Sequence, residues 1–456
     1  MSDDTVRRLM AAMVFLASLV IYMMTMAATV SFWDAGEFIA VSYILGIPHS
    51  PGTPLYVLVG RVFAMLPLAL SVAQRVNLLS AFTAALGVMM VYLIIVEVVR
   101  FMFGEAKTAA SRIAAHAGGL VGSLFLMFSD TYWNDAIEAE VYALSAFVMG
   151  LCTWLALKWL RAHPDDSASA SDEGRSRGLI LLIIYLLSLG IGFHLGTILV
   201  FGGIFLTILM VKEKSFSNFE FLVISFGIAV ILADMMIWRN TTLTLVLLGV
   251  FGLLLVWTSL SQGRFALYAT LLFILGLSVH LFMYVRSFHD PAIDMVDPQN
   301  WDAMYAHLRR EQYPPIDVFA RKASPLFQIK HFWNYFTEQF RLFGDVRLGF
   351  FDLGMVSVLV PLTLGIWGIV ANFLREKKTW VLNFAVLLLN SAGLIIFLNF
   401  SDSEVRERDY FYGAAFFYFS VFIGICLLYT SDAADELRSV LLSGGGGCLR
   451  GGGGGG

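Results

Sequence analysis

Charge is what this sequence most lacks: only 14% of its 456 residues are Asp, Glu, Lys or Arg, against about 25% in soluble domains. With 58% hydrophobic residues and a mean hydropathy of +0.77, a water-soluble fold could not hide its apolar surface. Cysteine is scarce as well. Cys152, Cys426 and Cys448 form no CxxC pair and no metal-ligand spacing, which argues against a disulfide framework. No Walker A, GxSxG, HExxH or GxGxxG-in-βαβ pattern occurs, which argues against an NTPase, a serine hydrolase, a zinc protease or a nucleotide-binding enzyme. The net charge of −4 comes with no basic amphipathic stretch, so nothing suggests a nucleic-acid surface. No repeat of solenoid period is present.

What is present is a series of apolar runs, at 9–30, 76–99, 113–129, 140–160, 178–195, 197–211, 219–237, 242–260, 265–284, 353–373, 379–399 and 411–428. Several reach the ~20 residues a helix needs to cross a ~30 Å hydrocarbon core. Lipid offers no hydrogen bonds to bare backbone, so the runs predict helices. The expected fold is therefore an all-α integral membrane bundle of about 12 transmembrane helices. Residues 178–211 leave two readings open: two tight spans hinged near His194-Leu195-Gly196, or one long tilted span with a re-entrant piece. MSDDTVRR and the apolar run to Val30 read as a retained first span, because the run is long for a signal peptide and no small-x-small cleavage site precedes Trp33.

Basic residues test this alternation, since Lys and Arg concentrate in short cytoplasmic loops. Arg7, Arg8, Arg100, Lys107, Arg112, Lys158, Arg161, Arg175, Arg177, Lys212, Lys214, Arg264, Arg375, Lys377 and Lys378 all fall on one side of the expected topology, half of the 30 basic residues in the chain. The polar linker 163–177 reads as a disordered loop on that side. The outer connections 31–75, 130–139, 285–352 and 400–410 hold most of the acid, histidine and aromatic clusters. The 285–352 loop has room for a few surface helices between its prolines. Residues 426–456, CLLYTSDAADELRSVLLSGGGGCLRGGGGGG, match no membrane, linker or domain pattern. They read as a translated sequencing adapter and poly-glycine read noise, with a flexible Gly-rich terminus as the alternative. On the first reading residues 1–425 form the transmembrane domain and the natural chain continues beyond it.

The first outer loop, SFWDAGEFIAVSYILGIPHSPGTPLY, places Asp34 and Glu37 on one face of a helix whose apolar continuation would lie along the membrane interface. Two acids at the edge of a low-dielectric region tend to split their pKa values, which suits a general base; acids favoured at a helix N-terminus explain the same pattern. His49-Ser50-Pro51-Gly52-Thr53-Pro54 is a stiff corner that could aim His49 at a site, or a plain turn. In the second loop Asp135, Glu138 and Glu140 sit beside Trp133 and Tyr142, an arrangement that fits carbohydrate recognition and equally a solvated acidic cap. Arg286, Arg309 and Arg310 could bind a phosphate, or anchor at the interface by snorkelling. Arg406 and Arg408, interleaved with Glu407 and Asp409, could be paired surface charge. His194 and His280, in or beside apolar spans, are weaker signals.

With WDAGEF, HSPGTPLY, NDAIEAEVYALS, REQY and RERDYF in this order, the chain resembles, over about 1–425, a bacterial multi-pass family related to the animal plexin-type O-mannosyltransferases, GT-C superfamily glycosyltransferases. The resemblance implies a GT-C-like fold with interfacial helices in the first outer loop. It implies a sugar, mannose for example, moved from a polyprenyl-phosphate-linked donor to a protein hydroxyl or glycan acceptor, and no nucleic-acid partner. It implies Asp34 and Glu37 as the catalytic acids, Asp34 as base, with Glu138 and Glu140 matching second-loop acids and Arg406 and Arg408 a late basic motif that could hold donor phosphate. His49, Asp135 and Arg286 complete the expected substrate-binding set. The acids allow a divalent metal, although no spacing demands one. The expected location is a bacterial inner membrane with the site facing the periplasm. The family commonly carries a soluble C-terminal repeat region that this chain does not show. A secondary transporter or flippase is the main alternative and predicts charged residues around a midplane cavity; a non-catalytic envelope scaffold is another.

Overall fold

The computed structural model describes residues 2–104, 109–162, 170–211, 216–315, 317–341, 346–348 and 351–426. Apart from Cys426, the segment 426–456 lies outside the described residues, as do Lys107, Lys212, Lys214 and residues 163–169 of the polar linker.

Helix α1 (Asp3–Thr25) starts where the Ser2 hydroxyl accepts the Thr5 N–H, with Asp3 and Asp4 in its first turn, where negative charge opposes the helix dipole. The first-loop excursion is two short helices, α2 (Ala35–Ile44) and α3 (Pro54–Ala64), packed against each other. The spine is α4 (Val72–Phe103), opened by a reciprocal Ser71/Gln74 capping box. Against it pack α1, α3, α5 (Ala109–Met127) and α7 (Tyr142–Arg161). Between the last two, the chain bends 69° from α5 into α6 (Asp130–Ile137).

Helix α8 (Ala170–Gly190) ends in a turn, His194 is extended, and one 3-10 turn at Leu195–Leu199 leads into α9 (Val200–Leu209). The chain therefore hinges beside His194, where the first of the two readings of 178–211 put the hinge, although neither α8 nor α9 is among the helices long and apolar enough to be a span by itself. Then follow α10 (Asn218–Ala233), a π-turn at Asp234–Trp238, α11 (Thr241–Ser261), α12 (Phe265–Leu277) and α13 (Leu281–Ser287). The long outer loop carries α14 (Trp301–Leu308) and α15 (Pro325–Gln339), the expected surface helices, and an antiparallel pair of two-residue strands, Arg347–Leu348 and Phe351–Asp352. The chain closes with α16 (Leu353–Ser357), α17 (Leu359–Arg375), α18 (Lys377–Leu388), a second π-turn, α19 (Leu394–Leu398) and a last helical span, Asp409–Cys426.

The architecture is an all-α multi-pass membrane bundle. Among the described residues nine helices are long and apolar enough to cross a membrane, or ten if the bent α5–α6 pair is one span, against the 12 expected. Two runs, 178–195 and 197–211, account for the difference from ten. Helix α8 carries Glu173, Arg175 and Arg177 in its early turns, and α9 has only ten residues. Lipid-facing surfaces are plain on α11, where Leu245, Leu253 and Leu260 are 65, 75 and 84% exposed; only an apolar solvent makes such a face stable. Where helices cross closely the sequence supplies glycine. A Cβ on Gly122 would meet the Ser420 carbonyl at 2.7 Å and Gly424 Cα at 3.3 Å, the small-residue contact of membrane helices.

One end of the bundle is basic. Buried Glu97 accepts from Lys158 Nζ at 2.9 Å and Arg161 Nε at 2.5 Å, with Arg7 and Arg100 within 4.0 Å. At the other end of α4, Ser80 holds the second loop. Seventeen residues of helix separate the two, about 26 Å at 1.5 Å per residue, close to the hydrocarbon thickness.

Candidate active site

The site begins at the N-terminus of α2. Asp34 is the N-cap residue, yet its side chain makes no capping bond; its Oδ2 instead accepts from Arg406 Nη1 at 2.9 Å. One turn on, Glu37 grips His49 twice. Its Oε1 accepts the His49 backbone N–H at 2.8 Å, and its Oε2 lies 2.6 Å from the ring Nδ1. That bond raises the His49 pKa above the ordinary imidazole value, against the opposing pull of burial. The corner after His49 is closed by the Gly52 N–H donating to the His49 carbonyl at 2.9 Å. Gly52 sits at φ +93°, and a Cβ there would run into Met283 and His307, so only glycine serves.

The second loop arrives through a different device. Ser80 Oγ donates to the Glu140 carbonyl and accepts from the Glu140 N–H, both at 3.2 Å. This turns the Glu140 side chain, 6% exposed, towards Arg406, whose Nη2 lies 4.0 Å away. Burial, reinforced by repulsion from Asp34 and Glu138 and opposed by Arg406, pushes Glu140 up to about 8. The Arg406 guanidinium lies over the rings of Trp33 at 4.8 Å and Tyr410 at 4.9 Å, a sandwich that favours arginine over lysine.

These groups line one cavity of about 450 Å³, within the usual size of a ligand site. Asp34, Glu37, His49, Glu140, Arg406 and Arg408 all face it. A second cavity of about 330 Å³ is mostly apolar, lined by Ala146, Met149, Ile198, Leu199, Leu389 and Phe397 among others. Tyr142, His194, Leu195, Arg310, Tyr410 and Phe411 belong to both, so the polar and apolar spaces share a wall.

The remaining expected residues are placed unequally. Asp135 is buried and lines the apolar cavity rather than the polar one. Glu138 does not line the polar cavity; it bonds to Ser31, feels Arg406, and is raised mainly by burial. Arg408 lies 3.4 Å from Glu404. Arg286 stands apart. Its Nε and Nη2 donate to the carbonyls of Leu45 and Ile44 at 2.8 and 3.2 Å, so it satisfies the C-terminal end of α2, where a cation also suits the dipole. It does not line the polar cavity. Arg309 is consumed by Asp234. Arg310 and Tyr142, which the sequence offered as a phosphate binder and a carbohydrate neighbour, face the polar cavity, as do Tyr313 and Tyr410, which it did not single out; REQY, RERDYF and NDAIEAEVYALS marked their segments, and nothing local marked the orientation of the side chains.

Asp34, Glu37 and His49 each offer a ligand atom within 4.8 Å of one another. Two carboxylates and an imidazole suit a divalent transition ion, so the donor set fits a metal once Glu37 releases the His49 ring.

The family comparison begins at the residue where the site does. Residues 34–217 match the model of the protein O-mannosyl-transferase TMEM260 N-terminal domain. Over this segment the chain is similar to the TMEM260-type O-mannosyltransferases. It is 27% identical over 153 residues to protein O-mannosyl-transferase tmem260 of Dictyostelium discoideum, covering 33% of this chain and 17% of that protein. With TMEM260 of Mus musculus it shares 28% identity over 181 residues, 38% of this chain and 24% of that protein. The matched segments thus span less than a quarter of these curated relatives. A solved structure, archaeal oligosaccharyltransferase AglB from Archaeoglobus fulgidus in complex with an inhibitory peptide and a dolichol-phosphate, aligns over 97% of this chain and 52% of its own at a TM-score of 0.43 and 12% identity.

Proposed function

We propose that the chain is a GT-C membrane glycosyltransferase that moves a sugar, mannose in keeping with its relatives' names, from a polyprenyl-phosphate donor to a protein hydroxyl or glycan on the non-cytoplasmic face. One observation carries the reading: acids from two outer loops and an arginine from the last converge on a polar cavity that shares a wall with an apolar one. A phosphate ester on a long hydrocarbon needs that pairing.

In this reading Asp34, oriented by Arg406, takes the proton from the acceptor hydroxyl as its oxygen attacks the anomeric carbon. The carbon–oxygen bond to phosphate breaks with inversion, and the phosphate leaves with the bonding electrons. Glu140, neutral below about pH 8, spares the incoming phosphate a third negative neighbour. Arg406 and Arg408 offset charge developing on the leaving group. A divalent ion held by Asp34, Glu37 and His49 would neutralise further phosphate charge.

Transport is less well supported, because the charge it would use, Asp234, stands at the end of α10 and is bound by Arg309 at 2.7 Å. The deciding experiment presents the purified protein in lipid with a panel of polyprenyl-phosphate sugars and hydroxyl-bearing peptide and glycan acceptors. Sugar transfer from at least one donor is expected. Movement of the intact donor across a sealed bilayer without transfer would favour the flippase instead.

A further inference from the structure

Arginine 310 occupies a backbone position that ordinarily belongs to glycine. After α14 the Glu311 N–H donates to the Ala306 carbonyl at 3.0 Å and the Arg310 N–H to the His307 carbonyl at 3.1 Å. Arg310 itself lies at φ +56°. This is the left-handed helix ending that glycine fills without strain. A strained non-glycine residue there points to a use for its side chain.

That side chain reaches the junction of the polar cavity, the apolar cavity and a third space lined also by Arg239, Lys322 and Arg408. Its Nε is buried and makes no hydrogen bond. Among the described residues no carboxylate lies within ion-pair distance, and another cation, Arg239, disfavours its charge further. The Tyr313 ring, 5.0 Å away, is its aromatic neighbour. Of the other arginines nearby, Arg406, Arg408 and Arg309 are paired with Asp34, Glu404 and Asp234, and Arg239, which lines only the third space, donates to the Tyr313 carbonyl at 2.9 Å. Arg310 is half-buried, and an orphaned buried N–H on a guanidinium without an anion is costly; a bound anion would relieve that cost.

We propose that Arg310 is the residue that binds the phosphate of an amphiphilic phosphate ester, with the hydrocarbon lying in the apolar cavity, and that the Arg309–Asp234 pair positions it. The proposal rests on the glycosyltransferase reading and assigns the phosphate to a residue other than Arg406 or Arg408. The positioning is direct. Arg309 Nη2 and Nε bond Asp234 Oδ1 and Oδ2 at 2.7 and 2.9 Å, while Tyr305 and Thr244 hydroxyls donate to the same carboxylate at 2.7 Å each. Asp234 stands in the π-turn that ends α10, so the end of α14 is tied to the membrane bundle one residue before Arg310.

The test measures binding of undecaprenyl phosphate, carrying no sugar, to the full chain in nanodiscs, beside inorganic phosphate and undecaprenol. The wild type should bind the lipid phosphate in preference to either control. Arg310→Met should weaken that binding about 10- to 100-fold, the range for a charged hydrogen bond in a buried site, and Arg310→Lys by less. Thermal stability should hold in Arg310→Met, because no ion pair is broken; a fall in stability in both variants would mark a structural arginine and overturn the assignment. Asp234→Asn should weaken binding, and combining it with Arg310→Met should add nothing; additive losses would overturn the positioning role. If the wild type binds undecaprenyl phosphate and Arg310→Met binds it equally, the assignment fails while the glycosyltransferase reading stands. No binding by the wild type would sink both. Inorganic phosphate bound as tightly as the lipid would remove the hydrocarbon part.

Discussion

Arg406 Nη1 lies 2.9 Å from Asp34 Oδ2, across 372 residues of sequence. The contact joins the first outer loop to the last, and Glu140 from the second loop faces the same guanidinium at 4.0 Å. One arginine thus organises acids from two separate loops.

Asp34→Asn preserves size and removes basicity. Turnover should fall about 10²- to 10⁴-fold, the usual loss of a general base, while undecaprenyl-phosphate binding survives. Turnover near the wild-type value in protein of unchanged thermal stability would show that another group takes the proton.

Glu140 gives a pH signature. Its pKa in the folded chain is raised from 4.5 to about 8, so the folded state holds its proton more tightly than the unfolded one. The stability this contributes is complete below about pH 4.5 and is lost as pH rises through about 8. Glu140→Gln mimics the protonated form. Its melting temperature relative to wild type should therefore climb between pH 5 and pH 9 and level off above. A difference independent of pH would refute the raised pKa.

Arg286 should behave as a structural residue. Arg286→Gln leaves the Leu45 and Ile44 carbonyls without their cation, a loss of about 0.3–1 kcal/mol for a helix-end charge. Melting temperature should drop slightly, and KM for the lipid-linked donor should stay within about twofold of wild type, well inside the factor of ten that 1.4 kcal/mol represents. A large rise in KM with unchanged stability would return Arg286 to the donor site.

Sidedness can be read by cysteine labelling. Phe32, two residues before Asp34, is 88% exposed, and Lys377 is exposed at the start of α18. In a variant lacking native cysteines, Phe32→Cys should react with a membrane-impermeant maleimide from the non-cytoplasmic face and Lys377→Cys should not. The reverse pattern would invert the topology.

The bundle, its interfacial loop helices and the grouping of basic residues were legible in the sequence because each follows from local composition. Helix formation in lipid is enforced residue by residue, and positive charge sorts loop by loop. The hinge beside His194 was legible as one of two readings, since a glycine-flanked histidine weakens a helix without showing which way the chain turns. Asp34, Glu37, His49 and Glu140 stood out as acids and a histidine in otherwise apolar surroundings.

What only the tertiary structure decided is which charge meets which. Arg286, Arg309, Arg310 and Arg406 are alike as sequence, four arginines at the ends of apolar or outer segments. Their fates diverge because a carboxylate or carbonyl arrives from a distant segment: the α2 C-terminus for Arg286, Asp234 for Arg309, Asp34 for Arg406, and no carboxylate among the described residues for Arg310. Composition sets how many charges a chain carries to one end of a membrane bundle. Packing sets which are neutralised and which remain for a ligand.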